Sequence, residues 1–280
     1  MGRMNPDAPQ FRSDEDLAEV CKRLRRRIVT MIGRAGSGHP GGSLSAVEIV
    51  ATLYWKVLRH KPLLPNWPDR DRFILSKGHA APVLYAVLAE CGYFPIAELD
   101  TLRKFGSHLQ GHADRTSTPG VEMSSGSLGQ GLSFATGVAL AGRLDKKDYH
   151  TYALLSDGEC EEGQTWEAAM AAGMYKLDNL TAIVDQNRIQ LSGFVKDIMD
   201  VDPLGAKFSS FNWHVIEIDG HDLAQVDRAI ADARTVRGRP TCIVAHTVKG
   251  KGVSFMENNP DFHGKAPSAE QVELALKELE

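Results

Sequence analysis

Tyr152-Ala153-Leu154-Leu155-Ser156-Asp157-Gly158-Glu159 is the stretch on which the fold turns. An apolar run gives way to a small, acidic turn, as where a buried strand leaves a sheet. An alanine-rich stretch from about Thr165 to Lys176 reads as a helix, and Leu180-Thr181-Ala182-Ile183-Val184 as the next strand. Strand, helix and strand at this spacing predict a right-handed βαβ unit. Further along, His214 to Ile218 and Thr241 to Ala245 look like strands, joined by a helix with Leu223, Val226, Ala229 and Ile230 on one face. The predicted fold is α/β, a three-layer domain with a mostly parallel sheet flanked by helices, forming one unit over residues 1–280.

The first half is less regular. Leu17, Val20, Leu24, Ile28 and Met31 recur at helical spacing before Gly33, Gly36 and Gly38. The basic stretch Lys22 to Arg27 within this helix reads as an ordinary solvated face. Ser45 and Glu48 have the spacing of a capping box, which predicts a second helix opening near Ser43 or Ser45. Phe73-Ile74-Leu75 reads as a short strand, Ser76 to His79 as a loop, and Ala80 to Cys91 as a helix stopped by Gly92. Phe105 to Gly126 is polar and irregular, and a loop that long inside a compact protein is usually functional or disordered.

Composition removes several functional classes. The 280 residues carry 32 Lys and Arg against 36 Asp and Glu, a formal charge of −4, so no concentrated positive charge is available for nucleic acid or an anionic membrane. Hydrophobic residues make up 42% and charged residues 24%, as in folded globular proteins. No apolar run is long enough to span a bilayer, and the first twenty residues do not read as a signal peptide. Cys21, Cys91, Cys160 and Cys242 form no CxxC pair, which fits neither a zinc site nor a disulfide framework and suggests a reducing, cytoplasmic setting. Gly36-Ser-Gly-His-Pro-Gly41 matches GxGxxG, but a helix precedes it where a dinucleotide site needs a strand.

Asp157 and Asn187 stand 187 − 157 = 30 positions apart, so the βαβ unit brings both to adjacent carboxyl ends of parallel strands, where open α/β sheets bind ligands. A carboxylate, an amide oxygen and a backbone carbonyl from the following turn are hard ligands for Mg²⁺ or Ca²⁺, too few for a complete protein cage. Water and phosphate oxygens would supply the rest. Gly158 would let a diphosphate approach the backbone. Taken alone, Asp157-Gly158 could equally be a turn and Asn187 a strand-end cap. His39, His79, His112 and His263 all lie in glycine-flanked loops, a pattern pointing to a polar pocket able to bind phosphate and exchange protons.

These segments carry a resemblance. From about Leu17 onward the sequence resembles the N-terminal, thiamine diphosphate-binding domain of transketolase. The matching segments are Ser37-Gly-His-Pro-Gly41, Leu75-Ser-Lys-Gly-His-Ala80, Gly111-His112, Ser125-Gly-Ser-Leu-Gly-Gln-Gly131, Asp157-Gly-Glu through Asn187, and Thr247 to Gly252 with His263-Gly264. The resemblance implies that Asp157, Asn187 and the Ile189 carbonyl hold Mg²⁺, and that His79, Gly158 and His263 meet the diphosphate. It also implies that the Gly126 carbonyl accepts from the cofactor's amino group, that Leu128, Leu191 and Val248 line its rings, and that Glu159 belongs to the cofactor-binding set. His39, His112 and His263 would face the sugar. Ser156 replaces the glycine usual before the metal-binding Asp.

Transketolases also carry a pyrimidine-binding domain, with the glutamate that activates the cofactor, and a C-terminal domain. Neither lies in these 280 residues, so the expectation is the smaller subunit of a two-polypeptide enzyme, assembling as α2β2 and transferring a two-carbon ketol unit between sugar phosphates. The α subunit of a 2-oxo acid dehydrogenase shares the metal motif but lacks His-Pro-Gly-Gly and Ser-Lys-Gly-His-Ala. A deoxyxylulose-phosphate synthase-like enzyme fits these segments less well, and a non-catalytic assembly subunit would not need four retained histidines.

Overall fold

The structure, a computed structural model, describes residues 10–11, 13–191 and 193–280. Helix α1 (Leu17–Ala35) opens on Asp16, whose carboxylate accepts from the Ala18 N–H, and closes at Gly36 in a left-handed conformation. Its basic stretch is less solvated than the sequence suggests. Arg23 and Arg27 both grip Glu90, and Arg25 is buried against Glu48 at 2.7 Å.

That ion pair also accounts for a correction. The next helices are two short ones, α2 (Pro40–Leu44) and α3 (Val47–Thr52), and no capping box forms. Glu48 is held by Arg25, while the Ser45 hydroxyl donates to the Gly42 carbonyl and to Asp185 at 2.7 Å. Proline at the first helical position opens α2 instead, where its missing N–H costs nothing.

Strand β1 (Arg72–Leu75) leads through a single 3-10 turn into α4 (Ala81–Glu90). Residues 105–126 contain no helix or strand, as read from the sequence. Helix α5 (Gln130–Leu144) is not legible in advance, because glycines interrupt its pattern. They serve close packing: a Cβ on Gly131 would overlap Ser76, and one on Gly142 would meet the Tyr149 ring at 2.7 Å.

Strand β2 (Thr151–Ser156), helix α6 (Gly163–Met174) and strand β3 (Leu180–Gln186) form the βαβ unit. A small antiparallel ribbon, β4 (Ile189–Gln190) with β5 (Gly193–Phe194), and two short helices, α7 (Val195–Ile198) and α8 (Leu204–Ser210), follow. Strand β6 (His214–Asp219), helix α9 (Leu223–Thr235), strand β7 (Thr241–His246) and helix α10 (Ala269–Glu278) complete the order.

The main sheet runs β1-β2-β3-β7-β6 with every pair parallel. Alternate residues of the central strands serve opposite faces. Tyr152, Leu154 and Ile183 pack with α1, α3, α4 and α9, whereas Ala153, Leu155 and Val184 pack with α5, α6 and α8. Burial on both faces explains the unbroken apolar runs of β2, β3 and β7.

Candidate active site

The register aligns Ser156 with Asp185 and Gln186 with His246, so the residues that follow β2, β3 and β7 converge at one edge of the sheet. Asp185 organises them from below. Its fully buried carboxylate pairs with Lys77 and accepts from Ser45, Thr247 and the Asn187 amide, the last at 3.1 Å. Burial pushes Asp185 upward, but the Lys77 ammonium and the converging hydrogen bonds outweigh it and hold the carboxyl below its usual range. Because the Asn187 nitrogen is committed to Asp185, its oxygen is turned away and, among the described residues, accepts only the Ile189 N–H, at 3.2 Å.

Asp157 is buried and accepts backbone N–H groups from Gly158 at 2.9 Å and Arg188 at 2.6 Å. Burial, reinforced by the charge of Asp185, raises its pKa, the condition of a carboxylate short of a cation. The Ile189 carbonyl already receives one, the Lys249 ammonium at 2.7 Å. Burial and the charge of Lys77 lower the pKa of Lys249 in turn. A carboxylate, an amide oxygen and a carbonyl, each with acceptor capacity to spare, fit a hard divalent cation completed by water and phosphate. Among the described residues no group of three or more His, Cys, Asp or Glu side chains could hold a metal alone.

Beside this donor set lies a cavity of 320 Å³ lined by His39, His79, His112 and His263 together with Gly126, Leu128, Gly158, Asn187, Ile189, Leu191 and Lys249. The His39 ring centroid stands 5.5 Å from His79, 5.7 Å from His112 and 5.5 Å from His263. Two glycines allow the walls to meet. A Cβ on Gly78 would lie 2.7 Å from the Ser125 carbonyl carbon, and one on Gly158 would lie 2.8 Å from the Gln190 Cβ. Asp157 sits in the wall and faces an adjoining cavity with Gln186 and Arg188.

Two expected cofactor contacts are placed elsewhere. Glu159 lies beneath the cavity, where both its oxygens are taken by Ser76 and the backbone N–H groups of Gly129 and Ser156. Burial raises its pKa to about 6 against those bonds. Val248 is not on the cavity surface, and its N–H donates to His221, which is anchored on Glu48. Conversely, sequence reasoning misses Lys77, Asp185, Lys249 and Arg103. The first three stand in the segments that carry the resemblance, but a charged residue in a loop or at a strand end reads as solvated until its partner is known.

All four cavity histidines are held in the neutral form. Burial lowers His39 to about 4, helped by Arg103, His112 and Lys249, and lowers His263 to about 3, helped by Lys249 and His39. His79 and His112 are lowered by burial too, with Lys77 and Arg103 adding to it respectively. The rings stand beside the Arg103 and Lys249 cations, while Glu161 and Glu162 also line the cavity.

The same shifts set a pH dependence. Unfolded histidine takes up a proton below about 6.5, whereas these rings, with buried His150 at about 3, resist it in the folded chain. The unfolded state binds more protons, so stability falls as pH drops from about 6.5 towards 4. Asp157 and Glu159, raised in the folded state, act in the opposite direction but are outnumbered. Denaturant midpoints of the cofactor-free chain should be higher at pH 7 than at pH 5. Equal or reversed midpoints would contradict the assignment of neutral rings.

An oxygen donor set at parallel strand ends beside a histidine-lined pocket has the chemistry to fit the diphosphate of a cofactor together with a divalent metal. Comparison with known proteins specifies which. Residues 17–279 match the family model for the transketolase thiamine diphosphate-binding domain. The chain is 44% identical over 265 residues to the 6-deoxy-6-sulfo-D-fructose transketolase subunit SqwG of Clostridium sp. (strain MSTE9), covering 95% of this chain and 96% of that protein. It is 43% identical to an apulose-4-phosphate transketolase subunit of Actinobacillus succinogenes, covering 97% and 98% respectively. The solved structure of transketolase from Leishmania mexicana superimposes with a TM-score of 0.90 at 30% identity, over 95% of this chain and 41% of that one. This chain therefore belongs to the transketolase family as its thiamine diphosphate-binding domain, and spans about two-fifths of the solved transketolase chain. The family's cofactor is thiamine diphosphate with a divalent metal. The dehydrogenase and synthase alternatives are not favoured.

Proposed function

We propose that this chain is the N-terminal subunit of a two-polypeptide transketolase, transferring a two-carbon ketol unit from a ketose to an aldose. The observation that carries the reading is the juxtaposition of the Asp157, Asn187 and Ile189 oxygens with the four-histidine cavity. Thiamine diphosphate, when bound, supplies the carbanion chemistry. Asp157, Asn187 and the Ile189 carbonyl would hold Mg²⁺, while His79, Gly158, His263 and the Lys249 ammonium would meet the diphosphate. The Gly126 carbonyl would accept from the cofactor's amino group, with Leu128 and Leu191 against its rings. Leu191 is 70% exposed, an apolar side chain at the rim suited to packing on a ring. His39, His112 and His263 would donate hydrogen bonds to sugar oxygens, and His112 and His263 would also exchange protons as the carbon–carbon bond is cut.

On this reading the chain works with a second subunit carrying pyrimidine-binding and C-terminal domains, assembled as α2β2. Two relatives that this chain matches almost end to end are named as transketolase subunits. The solvent face of α5 and α6 supports a covered surface, for Phe134, Leu144, Met170, Met174 and Tyr175 are all exposed. No described helix is long and apolar enough to cross a membrane. All four cysteines are free and buried, which supports the cytoplasmic setting. Purified alone, the chain should show no ketol transfer, and activity should appear on mixing with the larger subunit, thiamine diphosphate and Mg²⁺. Robust turnover by this chain alone would overturn the proposal.

A further inference from the structure

We propose that Arg103 is a positioning residue for this reaction: its guanidinium fixes the His39 proton on Nε2, so that His39 meets the substrate as a hydrogen-bond donor and not as a base. The proposal rests on the transketolase reading for its consequence, but not for its geometry.

Arg103 belongs to the segment entering the long irregular stretch. Its backbone is left-handed at φ 60°, and its N–H closes back on the Leu109 carbonyl at 2.9 Å. This turn sends the side chain towards the loop that carries His39. Nη1 donates to the Ser37 hydroxyl at 2.7 Å, and Nη2 donates to His39 Nδ1 at 3.3 Å and to the Gly111 carbonyl at 3.3 Å. No carboxylate neutralises this guanidinium among the described residues.

A guanidinium has only donors and stays charged at any pH the protein survives. Its partner Nδ1 must therefore present a lone pair, and the one proton of the neutral ring stands on Nε2. The same contact opposes the imidazolium, which would aim a second N–H at a cation. The other groups around His39 offer no compensation: His112, Lys249, and the rings of His79 and His263 are neutral or cationic. Nε2 has no protein partner among the described residues, and Gly264 borders that edge, where a Cβ would lie 3.5 Å from Nε2. That N–H is left for a substrate oxygen.

The test is ¹⁵N NMR of the full chain labelled at histidine, which reads the tautomer directly, without turnover. Wild type and Arg103→Lys, which retains a donor-only cation, should show His39 as the Nε2–H form; Arg103→Met should populate the Nδ1–H form. In the reconstituted enzyme Arg103→Met should lower kcat ~10-fold, the scale for losing a partner that orients a functional histidine. The cofactor Kd should hold, the acid limb of the pH profile should move to higher pH, and Arg103→Lys should recover most of kcat. An Nδ1–H form in the wild type, or an unchanged tautomer in Arg103→Met, overturns the proposal even if the chain proves to have another activity. Absence of ketol transfer with the expected tautomers would instead count against the transketolase reading alone.

Discussion

Asp157→Ala should abolish Mg²⁺-dependent thiamine diphosphate binding by the assembled enzyme while leaving the fold intact. The carboxylate is the sole negative charge in the proposed donor set, and without it the site loses its hold on the divalent cation that would bridge protein and diphosphate. The fold should survive because, among the described residues, the Asp157 side chain hydrogen-bonds only the backbone of Gly158 and Arg188, whereas the ties between β3, Lys77, Ser45 and Thr247 all run through Asp185. Asp157→Asn, which keeps the shape and an acceptor but not the charge, should lose binding as well. Circular dichroism would check the fold and calorimetry the affinity; undiminished binding in both variants would refute the metal site.

The second large effect divides the histidines. Replacing His39 or His112 by Ala should lower saturated turnover by ~10²-fold or more, the usual scale for a positioned hydrogen-bond donor or proton-handling group, with the cofactor dissociation constant nearly unchanged. His79→Ala should do the reverse, because His79 is the most buried of the four and stacks on His263 at 5.1 Å, at the end of the cavity nearest Lys77. Its turnover should recover at saturating cofactor. If His39→Ala and His112→Ala lose cofactor and keep turnover, the roles are exchanged.

Strands, the βαβ unit and the convergence of Asp157 with Asn187 are legible because burial on both faces leaves unbroken apolar runs, and parallel register then fixes which residues meet. Helix α5 is not, since its glycines answer to close packing against Ser76 and Tyr149. The capping-box reading fails for a tertiary reason, the capture of Glu48 by Arg25 across 23 positions. In the site, histidines announce themselves by their glycine-flanked loops. The charges that tune them do not: Lys77, Asp185, Lys249 and Arg103 acquire meaning only once distant loops bring them to their partners.

A crystal structure of the two subunits with thiamine diphosphate and Mn²⁺ in place of Mg²⁺ would test the central claim most directly, because manganese is located by its anomalous signal independently of how the cofactor is built. The account predicts one strong peak per copy of this chain at the ends of β2 and β3, bonded to Asp157, Asn187 and the Ile189 carbonyl at about 2.0–2.3 Å, the range for hard cations on oxygen. A peak elsewhere, or cofactor bound outside the histidine-lined cavity, would contradict it.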